Sequence, residues 1–589
     1  MTFFTKRCAR LAAAPVIAIM LLTSLQFGPK RSYTVSAQPG SRIEREGLPD
    51  PCEQSLIPPG NANGLHERCE AIGTGGGAAK GDFNGDGFAD LAVGVPHEDV
   101  NGVGGVGAVN IIYGSAVGLT ATADQVLYET TFGQGLASGD HFGSALAAGD
   151  FNGDGFSDLA IGMPDNDVQT IANFGTVFLI SGSASGLDQS THKTLLTNAG
   201  RAGAALVWDD FNGDGFGDLA VGIPNASVLF ETTIGCINTG ITVNGAGVVQ
   251  VFYGSSTGLR STGAQLFHEG PIGCLQGDNP QDVGFSAKEN DHFGSVLAAG
   301  HFHGAAAADL VVAVPFKDLP AGQDAGAVAI IPGGTNKLRG PSSEQLSQDT
   351  EGVGGSSEAG DQFGRALATG DLDGDGRDDL VVGVPFEDLD SNSKLDAGAV
   401  QIFFGSRTDE LVTTDGTMFI SQTNLPGVSL EAGDRFGWSL ATGDFDEDGK
   451  DDLAVGVPGE DLGSIRDAGL VEVLYGTASG PSLTRVQNWS QDSTGVPDIA
   501  EVGDQFGYAL SAWNYGRGSN TDLAIGVPFE DIVSAATGTE QVDAGAVNVI
   551  YGSFGGLRTD VNAPQFWHQD VPGIQDVAQP DDHFGEALY

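Results

Sequence analysis

GDLDGDGRDDLVVGVP, residues 370–385, is an acidic turn that runs straight into a short apolar strand. Near copies end at Pro96, Pro164, Pro224, Pro315, Pro385, Pro458 and Pro528, at intervals of 68, 60, 91, 70, 73 and 70 residues. Seven copies at such a period mark a repeat architecture, so the fold is read from the repeat rather than from the length of the chain.

The chemistry of the turn is legible residue by residue. Asp371, Asp373, Asp375 and Asp379 occupy positions 1, 3, 5 and 9 of a loop, with Gly376 at position 6. Hard oxygen ligands alternate along a tight bend, and position 7, here Arg377, offers its backbone carbonyl; this is the first part of a calcium loop. Four other copies keep the set: Asp82, Asn84, Asp86, Phe88, Asp90; Asp150, Asn152, Asp154, Phe156, Asp158; Asp210, Asn212, Asp214, Phe216, Asp218; and Asp444, Asp446, Asp448, Lys450, Asp452. About five Ca2+ sites are therefore expected. In two copies the ligands are gone: His301, His303 and Ala305 replace the first three in one, Asn514, Gly516 and Gly518 in the other. Asp309 and Asp522 survive there, read as turn residues. An EF-hand is excluded, because position 12 is Val93, Ile161, Val221, Val382 or Val455, inside a strand-like run, where that loop needs a bidentate Glu. One such turn alone would read as an Asx turn; five at matched positions read as cation sites.

Each unit has four strand-like pieces: a Phe-Gly piece (Phe142-Gly143-Ser144-Ala145-Leu146), the strand after the acidic turn, a Gly-Ala-Val-x-x-x-Tyr-Gly-Ser piece (residues 107–115 and 545–553) and a weaker fourth. In Leu91-Ala92-Val93-Gly94-Val95 bulky and small residues alternate without charge, so each sheet is expected to lie between two like sheets. The expected fold is all-β, a seven-bladed β-propeller of four-stranded blades with calcium-binding loops. The first unit lacks Phe-Gly, with Thr74 and Gly75 in its place, while the chain ends on an unused copy, Phe584-Gly585-Glu586-Ala587-Leu588-Tyr589. Residues 580–589 are expected to close the ring by pairing into the first blade; the alternatives are a frayed tail or a chain cut short in an eighth unit.

The chain has 589 residues, 26 Lys plus Arg and 77 Asp plus Glu, for a formal charge of −51. That balance repels nucleic acid and anionic membrane surfaces. Residues 1–37 read as a signal peptide: Lys6, Arg7 and Arg10 precede an apolar stretch, residues 11–25, too short for a comfortable membrane span, and Val35-Ser36-Ala37 is a cleavage candidate; the alternative, suggested by Lys30 and Arg31, is an uncleaved N-terminal anchor. Removing it takes away Cys8 and leaves Cys52, Cys69, Cys236 and Cys274, expected to pair as Cys52–Cys69 and Cys236–Cys274. Residues 38–70 form a lead segment with one disulfide loop, and residues 71–589 the propeller.

Phe-Gly, the acidic loop and Gly-x-Pro in fixed order resemble the FG-GAP repeats of the integrin alpha-subunit N-terminal propeller, most closely those of secreted bacterial proteins of that class. The resemblance covers about residues 71–589. It implies calcium between the first and second strands of a blade and protein ligands on the opposite face. The middle residue of Gly-Ala-Pro is Val, Met or Ile here, and no leg domain or membrane helix is expected, so heterodimer pairing is not carried over; a monomer is expected.

On the opposite face the sequence places acidic pairs, Glu98-Asp99, Glu387-Asp388, Glu460-Asp461 and Glu530-Asp531, with Lys317-Asp318 as a mixed version, and a further Asp at 324, 396, 467 and 543. They read either as a carboxylate rim or as loop caps and solvation. Asp140, Asp291, Asp361, Asp434, Asp504 and Asp582 stand two residues before Phe-Gly and are expected to cap turns. The insertion at residues 227–247 is a candidate partner site. Trp208, Trp438, Trp489, Trp513 and Trp567 are read as core more than as sugar platforms. No unit carries a nucleophile with its base and no zinc signature appears, so the favoured class is a secreted or cell-surface, non-catalytic binding or adhesion module for an extracellular protein or glycan. The alternatives are a glycan-binding lectin and a propeller-type polysaccharide lyase or hydrolase, the lyase requiring a His/Tyr/Arg group at the central axis.

Overall fold

The computed structural model describes residues 81–195, 197–230, 241–270, 282–389, 393–406, 412–534 and 538–589. The expected signal peptide, lead segment, Thr74-Gly75 and all five cysteines, with both disulfides, lie outside these. The chain divides into two units at Asn61, and the second, Ala62–Tyr589, holds all the described residues.

Seven antiparallel sheets form a seven-bladed β-propeller. Blade 2 is typical: Ala145–Gly149, Asp158–Met163, Thr176–Ser181 and Asp188–Leu195 pair in that order. Blades 3 to 7 begin at Ala205–Asp209, Val296–Gly300, Ala366–Gly370, Ser439–Gly443 and Ala509–Trp513. Blade 3 departs from the pattern with a fifth strand, Asp282–Ser286, parallel to Arg260–Gly270. Among the described residues the helical pieces are three short 3-10 turns, and no helix is long and apolar enough to cross a membrane.

Small residues set the spacing between blades. A Cβ on Gly94 would stand 2.3 Å from the carbonyl oxygen of Gly143, the glycine of the next blade's Phe-Gly. The same approach recurs at Gly162, Gly222, Gly383, Gly456 and Gly526, at 2.1 to 2.2 Å. The alternation seen in Leu91–Val95 is thus a packing requirement: the apolar side chains fill the blade interfaces while glycine lets the backbones meet. The phenylalanines at 142, 293, 363, 436, 506 and 584 are wholly buried in those interfaces.

A polar clamp adds direction. Tyr113 bonds Gln125, and the Leu187 amide of the next blade donates to the Gln125 Oε1 at 3.0 Å. Tyr253/Gln265 hold Leu338, Tyr475/Gln487 hold Leu557, and Tyr551/Gln565 reach Leu119 across the seam between blades 7 and 1.

The seam is closed by the chain's last strand. Ala587–Leu588 pairs antiparallel with Leu91–Val95, setting Leu588 opposite Val93, and Tyr589 exchanges two 3.0 Å bonds with Ala92. Blade 1 therefore takes its inner strand from the end of the sequence and its other three, Leu91–Val95, Ala108–Tyr113 and Thr120–Leu127, from the start. The seven inner strands line a central cavity of about 360 Å³. Tyr589 sits in it, accepting a 2.6 Å bond from Trp208 Nε1 and donating one of 2.6 Å to the Ala148 carbonyl.

Candidate functional site

Each acidic turn leads into the second strand of its blade, so all seven share one face. They are stitched head to tail. The position-8 amide of one loop donates to the position-1 carbonyl of the loop before it: Ser157 to Asp82 (2.9 Å), Gly217 to Asp150 (2.9 Å), Ala308 to Asp210 (3.0 Å), Asp451 to Asp371 (3.0 Å), Thr521 to Asp444 (3.1 Å) and, across the seam, Ala89 to Asn514 (2.8 Å).

Within a loop each acid has a distinct task. Asp82 accepts from the amides of Gly85 (2.6 Å), Asp86 (3.2 Å) and Gly87 (2.9 Å), curling the turn around its own carboxylate. Asp150, Asp210, Asp371 and Asp444 do likewise. Position 6 needs glycine for its backbone rather than for space: Gly87, Gly155, Gly376 and Gly449 have φ of +86° to +92° with nothing within 4 Å of a would-be Cβ. Asp90 is buried and accepts from Phe83 (2.8 Å) and from Gly114 after the third strand (2.9 Å). Asp158, Asp218, Asp379 and Asp452 hold the equivalent glycines.

Positions 1, 3 and 9 come together. The carboxylate oxygens of Asp371, Asp373 and Asp379, and those of Asp444, Asp446 and Asp452, lie within 4.8 Å of one another. In blades 2 and 3 the amides of Asn152 and Asn212 stand 3.1 to 3.3 Å from both oxygens of Asp158 and Asp218. Position 5 caps its own turn: Asp86, Asp154, Asp214 and Asp448 accept from the amides of Phe88, Phe156, Phe216 and Lys450, and Asp375 pairs with the Arg377 side chain at 3.1 Å. Burial, with the neighbouring loop carboxylates adding to it, pushes Asp90, Asp218, Asp379 and Asp452 up to about 8 and Asp158 to about 7. Such a donor set calls for protons or for a cation.

The two depleted loops lack that donor set. His303 Nδ1 stands 2.9 Å from Asp309 Oδ2, an imidazole beside the position-9 carboxylate. In blade 7 the acids at positions 1 to 5 are absent, and Asp522 simply bonds the amides of Tyr515 and Gly552, both at 2.9 Å. Asp309 and Asp522 are therefore anchors of the third strand.

On the opposite face the acidic rim needs correction. Glu98, Glu387, Glu460 and Glu530 are buried between blades, each accepting from a glutamine at the end of the preceding blade's fourth strand: Gln569, Gln348, Gln422 and Gln491. Only the second acid of each pair caps a loop, as Asp388, Asp461 and Asp531 do for the amides of Asp396, Asp467 and Asp543 (2.9 Å each). Between blades 3 and 4 the charges are exchanged: Lys317 replaces the Glu, and it pairs with Glu269 and Asp291, both at 2.7 Å. Asp291, Asp361, Asp434, Asp504 and Asp582 cap the amide three residues before them.

Burial pushes Glu387 up to about 8, Glu460 to about 7 and Glu530 to about 9, with Asp361, Asp434, Asp498 and Asp504 adding repulsion. An acid whose folded pKa exceeds its unfolded one takes stability away as pH climbs between the two. The thermal midpoint is therefore expected to fall from about pH 5 to about pH 9, and Glu530→Gln to make that fall shallower. An unchanged slope in the variant would exclude Glu530 as a source.

The centre of this face holds what the sequence did not announce. A cavity of about 510 Å³ lies among Pro96, Pro164, Pro224 and Pro315 of the Gly-x-Pro motifs. Around it runs a chain of rings: Phe386–Trp438 (6.2 Å between centroids), Trp438–Tyr508 (5.5 Å), Tyr508–Phe529 (5.7 Å), Phe529–His583 (4.8 Å), His583–His97 (4.8 Å) and His97–His141 (4.9 Å). The Arg365 guanidinium stands 4.8 Å from the Trp438 ring, and Arg435 5.6 Å. Burial lowers the Arg365 pKa, with no carboxylate among the groups acting on it. Trp438 is thus a mouth residue; Trp208 and Trp513 line the central cavity, and only Trp489 and Trp567 are buried core. The signal was available in the repeat itself. The residues flanking Phe-Gly and following Gly-x-Pro vary from unit to unit, and those variable positions are the ones that face the mouth. The insertion at residues 227–247 contributes a hairpin, Val228–Phe230 with Ile241–Val243, beside a cavity of about 790 Å³; its tip lies outside the described residues.

The FG-GAP repeat family model matches residues 74–111, 142–180, 202–252, 363–403 and 436–474. Integrin alpha pat-2 of Caenorhabditis elegans is 34% identical over 205 residues, 34% of this chain and 14% of that one. Phosphatidylinositol-glycan-specific phospholipase D of Bos taurus is 28% identical over 426 residues, 61% of this chain and 50% of that one. The chain thus spans half or less of the length of these relatives. Among solved structures, rhamnogalacturonan lyase YesW aligns with a TM-score of 0.32 at 14% identity, covering 75% of this chain and 66% of that one, too loose a superposition to argue from. The repeated order of Phe-Gly, acidic loop and Gly-x-Pro, matched in five units and folded into seven blades, makes this chain an FG-GAP repeat protein resembling the integrin alpha propeller.

Proposed function

We propose that the chain is a secreted or cell-surface binding module, stabilised by about five Ca2+ ions and non-catalytic, that takes an extracellular protein or glycan ligand on the face opposite the acidic loops. The observation that carries the metal half is the recurrence of one donor set at five matched loops, with the acids of positions 1, 3 and 9 converging in blades 5 and 6. Asp371, Asp373, Asp375, Asp379 and the backbone carbonyl of Arg377 would hold an ion in blade 5, and the corresponding residues would do so in blades 1, 2, 3 and 6. All-oxygen donors with several carboxylates favour calcium over softer ions. The ligand half rests on the mouth. Arg365 beside Trp438, in a chain with a net charge of −51, favours a ligand that brings carboxylate or sulfate groups and a flat or sugar face.

One observation favours the lyase reading as well: Tyr508, His97, His141, His583, Arg365 and Arg435 surround a single mouth, which is the composition that proton abstraction beside a carboxylate requires. Calorimetric titration of chelator-treated full chain with Ca2+ is expected to give about five equivalents; fewer than two would end the metal reading. An array of acidic glycans and matrix proteins, probed with wild type and Arg365→Ala, tests the ligand face. Retained binding in the variant would move the ligand elsewhere, and the appearance of unsaturated sugar products would replace the binding module with the lyase.

A further inference from the structure

We infer that His97, His583 and Glu586 form a transition-metal site of the zinc class, built across the ring seam and open to the mouth. His97 follows Pro96 in blade 1, whereas His583 and Glu586 belong to the closing segment, so the three meet only when the ring closes. His97 Nε2 lies 3.4 Å and His583 Nδ1 3.3 Å from the same oxygen, Glu586 Oε2, and all three donor atoms fall within 4.8 Å of one another. An N–H···O bond is centred near about 2.9 Å. Ligands bound at about 2.0 to 2.1 Å to one tetrahedral ion stand about 3.3 to 3.4 Å apart. Both distances to Glu586 are those of ligands around a common ion, and the two imidazole nitrogens lie within 4.8 Å of each other.

The donor set chooses the ion. Two imidazoles and one carboxylate suit zinc and its neighbours, and a calcium ion demands oxygen throughout. The site is therefore independent of the acidic loops, which lie on the other face. A third imidazole, His141, stands 4.9 Å from His97 but is held outside the set: its Nδ1 is 2.9 Å from Asp165, which Arg201 also grips at 2.9 Å. The three ligand side chains keep 37%, 19% and 28% of their surface exposed, and His97 and Glu586 line the mouth cavity. Three protein ligands with one position facing an open cavity is the arrangement that leaves an ion free to take a further ligand. A carboxylate or diol entering the mouth would complete it. Because its ligands come from both sides of the seam, the ion would also fasten the closing segment to blade 1.

The test uses the full chain in excess Ca2+, so that the acidic loops are occupied and the outcome is separate from the calcium reading. Titration with Co2+ is expected to give, at one equivalent, the visible absorption of a low-coordinate cobalt site, and Zn2+ is expected to displace it and raise the thermal midpoint. His97→Gln and His583→Gln should each weaken Zn2+ at least about 10-fold, since even losing a group that only orients a ligand costs that much. Glu586→Gln, a change of the same shape on a part-exposed side chain, should do so with the fold intact by circular dichroism. His303→Gln, on the other face, should leave the affinity unchanged. Absence of a one-equivalent cobalt spectrum, or Zn2+ affinity unaltered in both histidine variants, would overturn the site.

Discussion

Excess chelator is expected to lower the thermal midpoint of the full chain by roughly 10 to 20 °C. A ligand present at 100 times its dissociation constant and bound only by the folded state adds about 2.7 kcal/mol, so five sites add up to about 13 kcal/mol when the ring unfolds as one unit. That is comparable to the whole stability of an ordinary domain, about 5 to 15 kcal/mol. The structure gives the reason for such coupling. Five of the seven loops carry the donor set, and those of blades 5 and 6 gather three carboxylates around one point. Six of the seven junctions tie a position-8 amide to the backbone of the loop before it, the seventh using the Asp378 carboxylate on the His301 amide at 2.7 Å. A loop that opens for want of a cation therefore loosens the loop after it. The two depleted loops serve as internal controls: His303→Ala should leave calcium stoichiometry untouched, whereas Asp371→Asn should remove one equivalent. The blade-6 loop should be the weakest, because the Arg485 guanidinium already lies 2.5 Å from Asp446 and competes with the ion. A midpoint that moves by less than about 2 °C on chelation would reduce the acidic turns to plain turns.

What could be read in advance, and what could not, depends on which contacts are local. The acidic loop is specified within nine residues, so its alternating acids and its glycine could be read from the sequence; the bonds by which positions 1 and 5 cap the turn could not. Blade spacing was visible too, because the Leu-Ala-Val-Gly-Val alternation states that one face is nearly bare, and Gly94 meets Gly143 there. The buried glutamates were not. Glu387 reads as a solvated loop acid until Gln348, from the preceding blade, closes over it. The one local hint was the substitution of Lys317 for that Glu, and its meaning appears only beside Glu269. The mouth was missed for the same reason. His97 and His583 come from opposite ends of the repeat array, and each alone looks like an interchangeable turn residue. His141, His292, Gln362, Arg435, Gln505 and His583 do share a positive φ of +53° to +61°. That shared backbone fixes the direction in which the side chains leave, and their identity is left free to serve the mouth.

Deleting residues 580–589 is expected to lower the midpoint by at least about 10 °C and to bring on aggregation below it. The deletion takes away the inner strand of blade 1, so the ladder groups of Leu91–Val95 lose Leu588 and Ala587 as partners, and an apolar edge strand is bared. It also removes Phe584, fully buried between blades 7 and 1; truncating a buried phenylalanine alone costs about 3 to 5 kcal/mol. The Gly585 carbonyl, which seats against Gly526, goes as well, and so does Tyr589 with its bonds to Trp208 and Ala148. Other blade interfaces are crossed by the continuous chain, but this one is held by the closing segment together with the Tyr551/Gln565 clamp on Leu119, the Gln569–Glu98 bond and the Ala89–Asn514 bond. Two milder variants separate the parts. Tyr589→Phe keeps the strand and loses only hydroxyl bonds, at about 1 kcal/mol, so its midpoint should stay within a few degrees of wild type. Phe584→Ala keeps the backbone pairing and should fall between Tyr589→Phe and the deletion. If all three matched wild type by calorimetry, the pairing of Leu588 with Val93 would be incidental and the ring would hold by its clamps alone. If the deletion alone collapsed, strand pairing rather than side-chain packing would be what closes the propeller.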